Sequence, residues 1–171
     1  MRIRLVRPTS DRKETVLDYK KEHFDYGEKE ISGSERLDQI DFYEEWLQFV
    51  EKNTSLETVD SDWVVADVFL ALDENDRMVG IIDLRHYLND CLEYYGNSEY
   101  SVRPSERGKG YAVEMLRQIK KIARDAGMEV LHMAVFRDNL ASVKTIVRNG
   151  GAWERSFVAE GKMADMYRIR L

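Results

Sequence analysis

Apolar and charged residues alternate along Arg2-Ile3-Arg4-Leu5-Val6-Arg7, a period of two that predicts a short half-buried strand over residues 2–7. Pro8-Thr9-Ser10-Asp11 then gives a helix-start signal, with Glu14 near the capping-box position. Val16, Leu17, Lys20 and Phe24 continue at helical spacing, which predicts a helix to about Glu28. Ile31-Ser32-Gly33-Ser34 interrupts it. A second helix is expected from about Asp38 to Asn53, where Ile40, Tyr43, Trp46-Leu47 and Val50 form an apolar stripe opposite an acidic face. Trp63 to Leu72 is nearly all apolar and reads as a buried strand. Asp73-Glu74-Asn75-Asp76 turns it into a second strand, Met78 to His86, as a hairpin.

A polar and aromatic loop over 87–97 precedes a short strand from Ser98 to Val102. From Gly110 a helix is marked by Ala112, Met115-Leu116, Ile119, Ile122-Ala123 and Ala126, and Gly127 stands at its C′ position. Met128 to Phe136 predicts a strand, and Asn139 caps a helix that stops at Asn149-Gly150-Gly151. Trp153–Val158 and Met163–Leu171 complete a hairpin across Glu160-Gly161. The order β-α-α-β-β-β-α-β-α-β-β defines one α/β domain over residues 1–171, without internal repeats. Only two prolines occur, which leaves no Pro-rich linker.

Composition narrows the function classes. At 171 residues with 43% hydrophobic and 11% aromatic content, the chain buries a real core. A net charge of −6 excludes a general nucleic-acid binder, which needs a basic surface, and favours a cationic partner. The single cysteine, Cys91, excludes an intramolecular disulfide framework. The amino terminus lacks the apolar run of about seven residues that a signal peptide needs. No stretch approaches the roughly 18 apolar residues of a membrane span. A cytoplasmic protein with no membrane partner is expected.

The richest segment for chemistry is Arg107-Gly108-Lys109-Gly110-Tyr111-Ala112, which follows Tyr100-Ser101-Val102-Arg103-Pro104 and opens a helix. A strand that runs through a glycine turn into a helix N-terminus leaves N–H groups unpaired, and the helix dipole adds positive potential there, so the turn suits a phosphate. A Rossmann fingerprint needs a third glycine, where this chain has Val113. A Walker loop needs Gly-Lys-Ser/Thr, whereas Lys109 is followed by Gly110.

The segment instead resembles the acyl-CoA site of the Gcn5-related N-acetyltransferase (GNAT) family, in particular its bacterial-type acetyltransferases. Arg107, Gly110 and Ala112 match the family's Q/R-x-x-G-x-G/A signature, and Val102-Arg103-Pro104 is similar to its strand exit. Asn139 and Ser142, followed by Gly150 or Gly151, match the family's second signature. The resemblance implies a mostly antiparallel central sheet with helices on both faces. It implies acetyl-CoA as co-substrate, with pyrophosphate on the backbone of Arg107, Gly108, Lys109, Gly110, Tyr111 and Ala112. Pantetheine would lie along Tyr100, Ser101 and Val102, beside Asn139 and Ser142.

Transfer to an amine needs a neutral nucleophile and a proton for the departing thiolate. The family often supplies that proton from a tyrosine four residues after the small residue of the second signature, where this chain has Ile146. Either another hydroxyl serves, with Tyr167 and Ser142 the candidates, or solvent does, or the thiolate leaves unaided. Tyr167 shares strand parity with Ile169 and Leu171, which also fits a core residue. Glu99, on the strand beside the expected thioester, is the candidate base. Asp83, His86 and Tyr94 are candidates for binding a cationic acceptor. Cys91 in the loop suggests at most an incidental thiol. His23, His86 and His132 show no paired spacing, so no metal is expected. The function implied is acetyl transfer in a ternary complex to a primary amine, either a small cationic metabolite or a protein N-terminus. The alternative is a domain that binds acyl-CoA without turnover. The family's terminal hairpins also make a homodimer an expectation.

Overall fold

A computed structural model describes residues 2–171. The elements follow the expected order: β1 (Arg4–Val6), α1 (Lys13–Asp25), α2 (Tyr43–Lys52), β2 (Ala66–Leu72), β3 (Met78–Arg85), β4 (Tyr100–Val102), α3 (Tyr111–Asp125), β5 (Val130–Phe136), α4 (Leu140–Arg148), β6 (Ala152–Ala159) and β7 (Lys162–Arg170). They form two antiparallel sheets, one in the order β1-β2-β3-β4 and one in the order β5-β7-β6. β2 and β3 are buried along their whole length, which explains apolar runs without alternation. Along β2, Val68, Leu70 and Leu72 join a core under α1 and α2, while Phe69 and Ala71 join a second core beneath α3. Helices therefore cover both faces. Among the described residues no helix is long and apolar enough to cross a membrane.

Boundaries depart from the sequence expectation where loops do structural work. A short 3-10 turn at Ser10–Arg12 leads into α1, and neither it nor α1 has a side-chain cap, so the capping box expected at Glu14 does not form. The second helix begins at Tyr43 instead of Asp38, because residues 34–40 close into tight turns through Ser34 and Arg36 carbonyls. Trp63 lies outside β2 and donates its indole N–H to Glu35 at 2.9 Å. The final hairpin is longer at its turn than expected, with β6 running to Ala159.

One residue stitches the two sheets together. Asn97, buried at 5% exposure, donates its backbone N–H to the His132 carbonyl at 2.7 Å and accepts the His132 N–H on Oδ1 at 2.8 Å. On its other side it accepts the Arg85 N–H at 2.7 Å and donates from Nδ2 to the Arg85 carbonyl at 3.1 Å. Next to it Gly96 bridges Met133 with φ of 79°, and a Cβ there would fall 2.4 Å from the His132 carbonyl oxygen. Asn97→Ala is expected to lower unfolding stability by about 2–3 kcal/mol, since it strands buried polar groups of both sheets. Urea denaturation measures this, and a loss below about 0.5 kcal/mol, the scale of an ordinary surface change, would show the stitch to be dispensable.

Beyond Asn97 the strands diverge. The chain pairs with β5 at residues 96–97 but only with β3 by residue 100, so β4 has a free edge. Asp83 donates its N–H to the Glu99 carbonyl, and Arg103 donates to that of Val79. This phase turns the polar backbone groups of Glu99, Ser101 and Arg103 toward β3, and those of Tyr100 and Val102 toward the open edge. Arg103 anchors the strand exit: its buried guanidinium donates to the Met78 carbonyl at 2.6 Å and to Glu22 at 2.7 Å. Burial works to raise the Glu22 carboxyl, but hydrogen bonds from Ser105 and Arg103 outweigh it and hold it at about 2.

Candidate functional site

At the start of α3, Gly110 is the N-cap residue in a left-handed conformation, φ 89°, and no side chain caps the helix. The N–H groups of the first turn are left for a ligand. The basic side chains of this turn are already engaged. Arg107 forks onto Glu28 at 2.6 and 2.8 Å and donates from Nε to the Val102 carbonyl, while Lys109 pairs with Glu106 at 2.7 Å. The Arg107 pair braces the turn against Glu28, just beyond the end of α1. Tyr111 and Ala112 pack their side chains against the core beneath α3.

At the start of α4, Asn139 Oδ1 accepts the Ser142 N–H at 3.2 Å and caps the helix. The Ser142 hydroxyl meets the Tyr100 hydroxyl at 2.7 Å. Burial pushes the Tyr100 phenol up, while hydrogen bonds from Ser142 and Thr145 act the other way. Ser101 is tied down by donating from Oγ to the Ser32 carbonyl at 2.8 Å.

Between the diverging strands lies a cavity of about 440 Å³. Ser98–Tyr100 and Met133–Phe136 form its two strand walls, and Asn139, Ser142 and Ile146 of α4 form another side. Tyr94, Tyr95, Phe157 and Ala164 stand on the side of the 87–97 loop and the β6–β7 hairpin, where the Tyr94 and Phe157 rings lie 5.2 Å apart. Its carboxylates are Glu30, Glu99 and Glu160; among the described residues no basic side chain is part of its wall, while Arg155 lies over the Tyr94 and Phe157 rings and Lys162 over the Phe136 ring, each at 5.7 Å.

The structure thus gathers Glu99, Tyr100, Ser142, Asn139 and Tyr94 around one space. It removes three candidates from that space. Tyr167 is absent from the cavity wall and packs, half-buried, against the core with Ile169, as its strand parity allowed. Asp83 is fully buried beneath Glu99, where its Oδ1 accepts the Glu99 N–H, so it cannot touch an acceptor. His86 turns away, with Nε2 on Asp67 at 2.8 Å, a carboxylate that also pairs with Arg7. His23 contacts Glu28 and His132 approaches Glu154; among the described residues no group of three His, Cys, Asp or Glu is placed to hold a metal.

Sequence reasoning missed Arg85, Glu30, Glu35, Glu160 and the contact of the Tyr100 hydroxyl with Ser142. Arg85 carried a signal: an arginine two residues from an aspartate within an otherwise apolar strand needs a buried partner. Glu35 carried none, lying in a polar connection.

A family model described as "Acetyltransferase (GNAT) domain" matches residues 2–152, and the chain belongs to that family. No curated protein matches the chain closely enough to count as a relative. Solved structures share its fold. The acetyltransferase-assigned yncA of Salmonella typhimurium, solved with its cofactor acetyl-CoA, is 16% identical, with 99% of this chain and 94% of that one covered and a TM-score of 0.69. A GnaT-family protein of Bordetella pertussis is 15% identical, covering 98% and 95%, also with a TM-score of 0.69. A chimera of the spermidine N-acetyltransferase SpeG from Vibrio cholerae with hSSAT is 14% identical, covering 99% and 96%, with a TM-score of 0.66. Likeness at this level speaks for the fold. Family and fold together define an acetyl-CoA-dependent acetyltransferase.

Proposed function

We propose that the chain is an N-acetyltransferase that passes the acetyl group of acetyl-CoA directly to a cationic primary amine, a small metabolite or a protein N-terminus. The observation that carries this reading is the cavity beside the free edge of β4, lined by three carboxylates and aromatic rings. Carboxylates and aromatic faces both attract an ammonium group. The residues present suit acetyl-CoA, which supplies the activated acetyl group. The outward-facing backbone of Tyr100 and the N–H of Val102, whose carbonyl already accepts from Arg107, suit an extended amide chain, and the open N–H groups at Gly110 and beyond suit a pyrophosphate.

Within this reading Glu99 takes the proton that the ammonium must lose before it attacks. The Tyr100–Ser142 hydroxyl pair, on the wall shared with Ile146, supplies the proton that the departing sulfur takes up. Tyr94 forms part of the acceptor wall. Thiol release from acetyl-CoA, followed across a panel of primary amines that includes spermidine and an N-terminal peptide, tests the proposal. Acceptor-dependent release with acetylated amine as product supports it. Tight acetyl-CoA binding with no release for any amine across pH 6–9 overturns it in favour of a binding module.

A further inference from the structure

Behind Glu99 lies a cluster of charge that a lone carboxylate base does not require. Arg85, 5% exposed at the end of β3, places Nη2 at 2.7 Å from Glu99 Oε2 and 2.8 Å from Asp83 Oδ2. Its Nη1 donates to the Gly96 carbonyl at 3.1 Å. Its Nε faces Glu35 Oε1 at 3.7 Å, beyond hydrogen-bond reach, and neither atom has another partner. Asp83 Oδ2 is likewise close to the guanidinium yet misaligned for a hydrogen bond. Three carboxylates therefore converge on one guanidinium, and one of them, Glu99, opens onto the cavity.

The protein builds this arrangement at a cost. Glu35 reaches inward from two consecutive non-glycine residues in the left-handed region, Glu35 at φ 48° and Arg36 at φ 69°, a conformation that costs of order 1–3 kcal/mol per residue. Arg36 is held between the Phe49 and Trp63 rings at 5.2 and 5.1 Å, and the Trp63 indole donates to Glu35 Oε2. Burial raises the Asp83 carboxyl well above the usual carboxylate range; Arg85 pulls it down, and Glu35 and Glu99 push it further up. Burial works against the Arg85 charge too, but Asp83, Glu99 and Glu35 outweigh it.

We propose that Arg85 is a positioning residue for Glu99, and that Glu35, by drawing on the same guanidinium, sets how strongly Arg85 holds the Glu99 charge. The proposal rests on the reading of Glu99 as the base. Arg85 occupies one Glu99 oxygen and leaves Oε1 for the acceptor side. The guanidinium itself is fixed by Gly96, whose neighbour Asn97 joins the sheets, so Glu99 is referenced to both walls of the cavity. The groups facing Glu99 are Asp83 and Arg85 of β3 and Glu35 of the α1–α2 connection, with Glu30, Glu160, Tyr94, Tyr95 and Tyr100 around the cavity.

The test measures kcat and KM with an amine that releases thiol, beside a melting curve for each variant. In Arg85→Lys, whose single ammonium cannot span Gly96, Asp83 and Glu99 as the guanidinium fork does, kcat is expected to fall about 10-fold with the KM for acetyl-CoA unchanged. In Glu35→Gln, which keeps an acceptor for Trp63 and removes a competing charge, the guanidinium holds Glu99 more tightly and kcat is expected to fall about 3-fold. Should Arg85→Lys fail to fold, Glu35→Gln alone decides, and a native kcat in a folded Glu35→Gln protein overturns the proposal. The same substitutions in the Glu99→Gln background are expected to add no further loss; an equal loss there shows that Arg85 does not act through Glu99 and overturns the proposal. If Glu99→Gln alone leaves turnover unchanged, the reading of Glu99 as base falls.

Discussion

Gly110→Val is expected to abolish acetyl-CoA binding, raising its Kd roughly 100-fold or more, which corresponds to at least about 2.7 kcal/mol. The native φ of 89° is open to glycine and closed to a β-branched residue, so valine forces the turn between Gly108 and Tyr111 into another path. That path re-aims the first-turn N–H groups of α3, which no side chain caps and which point together only in the native turn. The added branched side chain also stands where a phosphate would approach the backbone. Because the turn is braced from outside by Arg107 on Glu28, the helix and the sheet below it keep their own contacts. Calorimetric titration with acetyl-CoA, beside a melting curve showing a folded variant, measures the effect. Undiminished affinity in a folded Gly110→Val protein would remove the turn from the cofactor site.

Glu99→Gln is expected to lower turnover by about 100-fold, the lower range for loss of a general base. The loss should be largest at low pH. A primary amine of lysine type has an unperturbed pKa near 10.4, so at pH 6–7 nearly every acceptor enters as ammonium and depends on a group that takes its proton. As pH rises, a growing fraction arrives neutral, and the variant should approach the native rate. Glutamine keeps the size of Glu99 and an oxygen for the Arg85 contact, so the cavity wall is preserved while the base is lost. A pH–rate profile of the variant parallel to that of the native protein would dismiss Glu99 as the base.

The proposed donor half of the site was legible in the sequence because backbone geometry makes it. A positive-φ glycine before a helix, a strand leading into it and an asparagine cap on the next helix are local events, and Gly110, Val102 and Asn139 each announce theirs within a few residues. The order of elements was readable for the same reason. The proposed acceptor half was not, because it is assembled across long chain separations. Glu30, Glu99 and Glu160 meet from three distant segments, and no spacing rule connects them. Asp83 and His86 misled for a related reason: a charged residue on a strand has two possible faces, and the partners that claimed these two, Arg85 and Asp67, are chosen by packing. Ile146 left the proton donor open. The answer the geometry favours, Tyr100 reaching Ser142 from β4, crosses 42 residues that carry no periodic signal.

The Asn97 stitch carries a consequence for how such a protein changes over time. Because the two sheets are pinned at one point and diverge from it, the wedge that the proposed function makes catalytic has a fixed apex and two independently furnished sides. The donor side depends on main-chain amides, which substitution scarcely touches. The acceptor side is furnished by side chains from the α1–α2 connection, the 87–97 loop and the β6–β7 turn, all surface segments that tolerate replacement. A new acceptor is therefore reachable by exchanging a few loop residues, while the apex and the donor wall stay as they are. Chemistry and choice of substrate are separately heritable traits of one fold.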